Sequence, residues 1–510
     1  MKLSSKKIVR LSNLSKNNRL LKNEKNLVFC YGSFNVIHPG HLRYFQNARK
    51  YGKKLYVAIE GDAFINKKDL AQQFNELERA EAVSALEFID KVIILDNAEL
   101  FDLVKIITPK TLILGKEFER ERSEQVNKTI KLLESKKSNT IFETGEVRYA
   151  NLDIFHRSQP DLETQRIEQF KNVLDLQKID IQNALSLITK KNKLKILIIG
   201  DTIVDQYVAC DAIGMSAEAP VVVVRELESQ EYLGGAAIVA SHVQALGGLS
   251  KFISVVGKDE NAKFVHSILK ENKINNAMFE DKGRPTTFKI RYMVENQKLF
   301  RVSKLKEHGL SKKLENRVIQ EIESKSSEVD GIIVSDFVYG FLTTNILKAV
   351  IKISKQKKIP LFGDLQCSSQ IGNILKFKNF KLICPTEREA RIALNNHEDG
   401  IEWVSNNLIE KTGSKNLIIK LGAAGFIAYD KETHKSYINR QHFPALTVNP
   451  VDITGAGDSL LATISIAIVS GCNLMQASAL ATCAASLAVQ NVGNMPVSIA
   501  SLKKFIQQIT

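Results

Sequence analysis

No CxxC pair occurs in this 510-residue chain. Its six cysteines, Cys30, Cys210, Cys367, Cys384, Cys472 and Cys483, are scattered and read as reduced core or near-site thiols of a cytoplasmic protein. No apolar run has the length of a membrane span. The longest, around Leu460–Val469 and Leu487–Val489, are broken by Ser, Ala and Asn and suit buried helices. The basic N-terminus lacks the apolar core of a signal peptide. An arginine-rich aromatic platform is also missing, and no nucleic-acid recognition motif is legible. The formal charge of +15 is therefore read as dispersed lysine and a field that draws anionic substrates, with no nucleic-acid or membrane partner expected.

What is present fits ordinary globular domains: 44% hydrophobic and 25% charged residues, in a chain too long for one core. Residues 1–24 form a basic arm, expected to be loose or a short docking helix. Residues 25–156 alternate strands (Leu27–Tyr31, Leu55–Glu60, Lys91–Leu95, Thr111–Leu114, Thr140–Phe142) with helices (His41–Lys50, Asn75–Phe88). That alternation predicts a mostly parallel, Rossmann-like α/β sheet. Residues 157–192 are amphipathic and read as a helical linker or hairpin. A second α/β domain, 193–510, opens at Leu194–Gly200 and continues through Gly331–Ser335, Pro360–Asp364, Phe380–Cys384 and Asn416–Leu421. Its β-rich pieces Val221–Glu226 and Thr286–Val294 suit a small lid.

Two motifs carry chemistry. Near the front, a strand ending in Gly32 is followed by His38–Pro39–Gly40–His41. Histidines three apart at a helix start face one ligand, and Gly40 permits close backbone approach. Helix N-terminal amides add positive field there, so the group suits charge developing on an α-phosphorus. A metal site is an alternative without a third ligand at informative spacing, and helix capping is another. Near the back, Asp452–Ile–Thr–Gly455–Ala456–Gly457–Asp458 precedes a small-residue helix. Successive amides form an anion nest, and Asp458 is placed to act as general base toward a hydroxyl. A glycine-rich turn capped by Asp is the plainer alternative.

Around the first motif, residues from about Leu27 to Phe155 resemble the cytidylyltransferase-like nucleotidyltransferases. The matching segments are Tyr31–Gly32–Ser33–Phe34–Asn35–Val–Ile–His38–Pro–Gly–His41, Val57–Ala–Ile–Glu–Gly–Asp62, Leu77–Glu–Arg79 and Thr108–Gly115. The resemblance implies that His38 and His41 hold phosphates beside Gly32, Ser33, Phe34 and Gly40. Arg79 and the loop of Lys67 and Lys68 become secondary phosphate contacts, and Arg148 a contact in the late turn. A lone lysine such as Lys67 is equally a solvated surface group.

Residues from Leu194 to about Leu502 resemble the ribokinase-like sugar kinases through Gly200–Asp205, Ser216–Val221, Gly234–Gly235–Ala–Ala237, Val334–Asp336 and Asp452–Asp458. Both halves come nearest to the bifunctional heptose-phosphate kinase/adenylyltransferases, in which the kinase comes first. By resemblance, Asp205 and the Gly234–Gly235 turn contact sugar hydroxyls, although an Asp beyond a strand is also a helix cap. Asp458 removes the acceptor proton. Glu218, Lys289 and Arg291 occupy the region where a phosphorylated sugar meets the lid. The two cations share one strand face, which a solvated face would also explain. Thr386 and Glu389 stand in an Asn-x-x-Glu segment tied to magnesium and phosphate.

The chain also departs from these patterns. Asn35 replaces Asp, Leu114–Gly115–Lys116–Glu117 replaces Lys–Gly–Gly–Asp, and Arg148–Tyr–Ala–Asn151 replaces a Ser/Thr-rich turn. Ile238 replaces Asn, Thr386 replaces Asn, and Asp364–Leu–Gln366 replaces Asp–Pro–Lys. The implied function is phosphorylation of a sugar phosphate, a heptose 7-phosphate, at its anomeric hydroxyl by ATP with Mg²⁺. Nucleotidyl transfer to the sugar 1-phosphate follows, in surface-polysaccharide precursor synthesis. A CTP-dependent enzyme for another sugar or polyol phosphate, and a nucleotide-binding regulatory protein, are the alternatives. The kinase resemblance implies a homodimer paired through the lid.

Overall fold

A computed structural model of the chain describes residues 7–14, 26–37, 39–64, 74–115, 118, 123–143, 159–190, 194–295, 297–367, 372–433 and 438–510. His38, Lys67, Lys68 and Arg148 lie outside the described residues. The chain divides into two compact units: Met1–Ala150 with Leu394–Asn407 and Lys431–Asn439, and Asn151–Ala393 with Leu408–Asp430 and Arg440–Thr510.

In the first unit, β1 (Ile8–Arg10), β2 (Leu27–Gly32), β3 (Lys54–Ile59), β4 (Lys91–Ile94), β5 (Thr111–Gly115) and β6 (Asn139–Glu143) pair in the order β1-β4-β3-β2-β5-β6. Every pairing is parallel. Alternate residues of β2 enter different cores, because strand side chains alternate faces. Val28 and Cys30 pack with Phe45, Ala48 and Val83, whereas Phe29 and Tyr31 pack with Leu103, Val126 and Leu133. Helices Pro39–Arg49 and Glu76–Ser84 thus cover one face, and Leu100–Ile106 and Glu124–Ser135 the other. That double cover explains why β2 reads as a continuous apolar run. Strand order reverses at β2, so a crevice forms beyond the carboxyl ends of β2 and β5. Part of the expected loose arm is built in: β1 is an edge strand, and Leu11 and Leu14 are buried.

The second unit contains β7 (Lys195–Gly200), β8 (Thr202–Met215), β9 (Val222–Gly235), β10 (Leu249–Val256), β11 (Asn275–Glu280), β12 (Thr287–Val294) and β13 (Gln297–Lys304). It continues with β14 (Gly331–Asp336), β15 (Leu361–Leu365), β16 (Leu382–Ile383), β17 (Asn416–Lys420), β18 (Phe426–Asp430) and β19 (Asn439–Phe443). Nine form one sheet, β11-β10-β7-β14-β15-β16-β17-β18-β19, and four form the lid, β13-β12-β8-β9. Helices Ala456–Ser470 and Leu474–Ala488 are rich in Ala and Ser, which lets their backbones approach closely in the main core. Helices Gln159–Leu176 and Ile181–Lys190 join the same core through Phe170, Leu174, Ala184 and Leu185. Arg166 ties the first of them down, donating to the carbonyls of Ala445 at 3.0 Å and Thr447 at 2.9 Å. Among the described residues no helix is long and apolar enough to cross a membrane.

Candidate active site

Helix Ala456–Ser470 begins at Gly455, whose φ of +82° lies in the left-handed region. A Cβ at Gly455 would stand 2.4 Å from Asn494 Oδ1, so glycine is required twice over. The first-turn amides open into a cavity of about 600 Å³ within the second unit. Asp205, Lys289, Arg291, Arg301, Glu389, Lys420 and Asp458 supply its charge, and Phe426, Leu446, Val448 and Val489 an apolar wall.

Asp458 is 5% exposed and accepts a hydrogen bond from Gln366 Nε2 at 3.0 Å. Burial, then the charge of Asp364, pushes its carboxyl up to about 7, against the opposing pull of Lys420. Asp364, at the end of β15, accepts from Lys420 Nζ at 2.6 Å, and burial raises it to about 6. Burial would lower Lys420, but Asp364 and Glu389 outweigh it and hold the ammonium charged. A carboxyl titrating near neutrality at a cavity wall is suited to general-base work.

Asp205 lies where β8 meets the lid base. Its Oδ1 is paired with Arg291, and its Oδ2 accepts from Asn494 Nδ2 at 3.0 Å. Gly234 is needed beside it: a Cβ there would stand 2.2 Å from Asp205 Oδ2. Gly235, at φ +63°, caps helix Ala236–Ala245. Lys289 and Arg291 are both buried and both line the cavity, which rules out a solvated face. The Lys289 ammonium sits 5.4 Å from the Phe337 ring and 5.2 Å from Tyr339. Asp201 holds the backbone that carries those rings by accepting the amides of Phe337 at 2.9 Å and Tyr339 at 3.4 Å.

Thr386 and Glu389 cap each other. The Thr386 amide donates to Glu389 Oε2 at 2.8 Å, and the Glu389 amide to Thr386 Oγ1 at 3.2 Å. Both line the cavity. Asp452 locks the loop: Lys298 Nζ at 2.7 Å and the Thr454 amide at 3.0 Å bind its Oδ1, and Tyr207 its Oδ2. Burial would raise its carboxyl, but Lys298, Tyr207 and Thr454 bring it down to about 2.

In the first unit, β2 ends at Gly32 and helix Pro39–Arg49 starts seven residues later, with its N-terminus toward the β2/β5 crevice. His41 Nδ1 lies 3.1 Å from the Val36 carbonyl. A carbonyl only accepts, so Nδ1 carries the proton, and an imidazolium is needed for Nε2 to donate to phosphate.

The structure gives several of the expected site residues other partners or other positions. Arg79 is fully buried and donates to the carbonyls of Phe74 at 3.1 Å, Ser33 at 2.5 Å and Glu60 at 2.8 Å, and to Asp62 at 2.7 Å. It clamps two loops and is spent on protein acceptors, leaving phosphate to other groups. Phe34, at φ +50°, turns its ring inward onto His41, Tyr44 and Phe45, so its side chain braces the histidine. Gly32 serves that ring, since a Cβ would meet it at 3.0 Å. Glu218 is exposed between β8 and β9 and does not line the cavity. The ten residues from Asp205 to Met215 carry the hairpin tip roughly 33 Å away. Ile238 is buried and likewise outside the lining.

Lys420 and Asn494 escaped the sequence reading. A lysine closing the buried strand Asn416–Ile419 is a usable signal; Asn494, in an irregular loop, offers none.

Sheet, lid and glycine-rich helix start together define a carbohydrate-kinase architecture. Residues 193–499 match the family model described as pfkB family carbohydrate kinase, over half of the chain, and the chain belongs to that family. Residues 29–146 match the model described as cytidylyltransferase-like, so the transferase-type domain precedes the kinase. Among curated relatives, the bifunctional protein HldE of Campylobacter jejuni subsp. jejuni serotype O:6 is 35% identical over 319 residues, 62% of this chain and 65% of its own length. The protein of the same name from Geobacter metallireducens is 30% identical over 326 residues, 63% of this chain and 64% of its own length. The chain thus spans slightly less than two thirds of the length of these relatives. Of solved structures, phosphofructokinase-2 from Escherichia coli superposes with a TM-score of 0.51 at 17% identity, covering 62% of this chain and 99% of that one. Ribokinase from Giardia lamblia gives 0.50 at 15%, covering 62% and 100%. Both likenesses are of fold alone.

Proposed function

We propose that the chain is a bifunctional enzyme of sugar-nucleotide synthesis. Its second unit phosphorylates a sugar phosphate, a heptose 7-phosphate, at the anomeric hydroxyl with ATP. Its first unit joins the resulting sugar 1-phosphate to AMP from a second ATP, releasing pyrophosphate and forming an ADP-sugar. The observation that carries this reading is Asp458, a buried carboxyl with a pKa of about 7 at a helix N-terminus on a cavity of about 600 Å³.

In the kinase step the carboxylate of Asp458 takes the acceptor proton as the hydroxyl oxygen attacks the γ-phosphorus. The amides after Gly455 stabilise the transferring phosphoryl group. Asp205 and Asn494 suit sugar hydroxyls, Lys289 the sugar's own phosphate, and the apolar wall of Phe426 and Leu446 the adenine ring. Mg²⁺ would enter with the nucleotide, neutralising its phosphates, and Glu389, which lines the cavity, is proposed to help hold it. In the transferase step the sugar phosphate is already ionised, so the helix Pro39–Arg49 amides and His41 have only to stabilise charge at the α-phosphorus. ATP is proposed there in preference to CTP. A cytoplasmic enzyme is proposed, and no nucleic-acid or membrane partner.

The lid supports a homodimer. Ile213, Met215, Val222 and Leu227 on the β8–β9 hairpin are all more than half exposed. Exposed apolar side chains on an open sheet fit a second copy.

A product-mass screen with ATP, Mg²⁺ and a panel of sugar phosphates reports sugar and nucleobase together. Asp458→Asn should abolish ADP formation and spare pyrophosphate release from supplied sugar 1-phosphate, and His41→Ala the reverse. Loss of both activities in either variant would count against this division.

A further inference from the structure

Three carboxylates surround one lysine at the kinase cavity: Glu389 and Asp458 line it, and Asp364 is fully buried outside the lining. Asp364 and Lys420 close neighbouring parts of the sheet at the ends of β15 and β17, and their side chains meet at 2.6 Å. Lys420 acts on the charge of Asp364, Glu389 and Asp458 alike. Gln366, which touches Asp458, is neutral and adds no cation. Lys420 is therefore the cation set among these carboxylates, apart from Lys289 and Arg291 on the lid strand, and it offsets their charge where a triphosphate would enter.

Lys420 also lies against the anion nest itself. A Cβ on Gly457 would stand 3.3 Å from its Nζ, so the ammonium rests on the backbone whose amides face the cavity. Only one of its three N–H bonds is needed for Asp364. Asp364 is buried, with Oδ1 lacking a hydrogen-bond partner. A carboxylate placed so serves chiefly to hold its cation, because an unpaired buried acceptor is costly unless something else requires it there.

We propose that Lys420 is a catalytic residue of the kinase site: held by Asp364 against Gly457, its ammonium contacts the phosphoryl group during transfer. The proposal rests on the kinase reading above. In the step itself, the bond from the γ-phosphorus to the nucleoside diphosphate oxygen breaks, and that oxygen keeps the electron pair. A bond to the acceptor oxygen forms, and the acceptor proton passes to Asp458. Lys420 exchanges no proton; it offsets charge on the equatorial phosphoryl oxygens.

The test uses the full chain and needs no identified sugar. MgADP alone reports nucleotide binding, and MgADP with aluminium fluoride adds a mimic of the transferring phosphoryl group. In the unchanged protein aluminium fluoride should tighten MgADP binding. In Lys420→Met that tightening should fall by about 100-fold, the scale of losing one preorganised donor, with MgADP alone bound nearly as before. Lys420→Arg should keep most of it. Since Met strands a buried Asp364, the double variant Asp364→Asn/Lys420→Met removes both charges and should fold while still lacking the tightening. Tightening retained in folded Lys420→Met or in the double variant overturns the role of Lys420 and leaves the kinase reading standing. No MgADP binding, or no tightening, in the unchanged protein overturns both.

Discussion

Gln366 Nε2 donates to Asp458 Oδ1 at 3.0 Å, so a neutral amide orients the carboxylate that faces the phosphoryl nest. An amide favours the ionised form far less than a cation would, which leaves burial dominant and the carboxyl at about 7. The base works only when deprotonated. Kinase kcat/KM should therefore rise about tenfold between pH 6 and pH 8, with its midpoint near neutrality. Gln366→Leu removes the donor, disfavours the carboxylate and should move that midpoint upward. Activity would then be lost at pH 7 and regained at higher pH. A profile flat across this range would remove Asp458 from the role of base.

Gly234 leaves no room for a side chain beside Asp205. Ala at this position would place a methyl 2.2 Å from Oδ2 and drive the carboxylate off Asn494 or Arg291. Overpacking of this kind costs about 1–3 kcal/mol, readable as a lower melting temperature. The larger effect should be on acceptor KM, because the displaced group is the one proposed to read sugar hydroxyls. Steady-state kinetics with sugar phosphate varied at saturating ATP separates the two. An unchanged acceptor KM would show that Asp205 only secures the lid.

The legible parts of the fold were those whose local pattern agrees with the tertiary one. β2 is buried on both faces and reads as a continuous apolar run; the Gly455–Asp458 turn combines obligatory glycine with a helix start. The lid was only half visible. β13 is exposed throughout, and the distal half of β8 is mostly exposed, so neither shows the alternation that marks a half-buried strand. Arg79 misled for the opposite reason. An arginine on a short helix after a phosphate-type loop suggests an anion contact, and only the packed structure reveals three carbonyls waiting for its guanidinium. Lys420 was missed because its significance lies in Asp364, fifty-six residues away in sequence.

The clamping role of Arg79 is testable. Arg79→Ala would leave the carbonyls of Ser33, Phe74 and Glu60 without this donor, a loss on the order of 3 kcal/mol or more for a fully buried fork. Denaturation of the full chain should show the first unit melting earlier, with the kinase transition little changed. Arg79→Lys separates the roles further, since one ammonium cannot span the same acceptors. Destabilisation without a specific rise in nucleotide KM supports the clamp. A stable Arg79→Lys protein with weakened nucleotide binding would restore Arg79 as a phosphate contact.

The lid hairpin yields the last prediction. Met215 and Leu227 are 62% and 63% exposed on a hairpin whose distal half is mostly exposed, and Ile213 is 61% exposed. Burying such side chains against a second copy removes apolar area at roughly 25 cal/mol per Å², whereas a glutamate there would carry a charge into the contact. Leu227→Glu with Met215→Glu should convert a dimer into a monomer by light scattering at micromolar concentration. Both positions are distant from Asp458 along the hairpin, so the folded kinase cavity should still bind MgADP. A monomeric unchanged protein, or a dimer indifferent to both charges, would assign the exposed hairpin to some other partner.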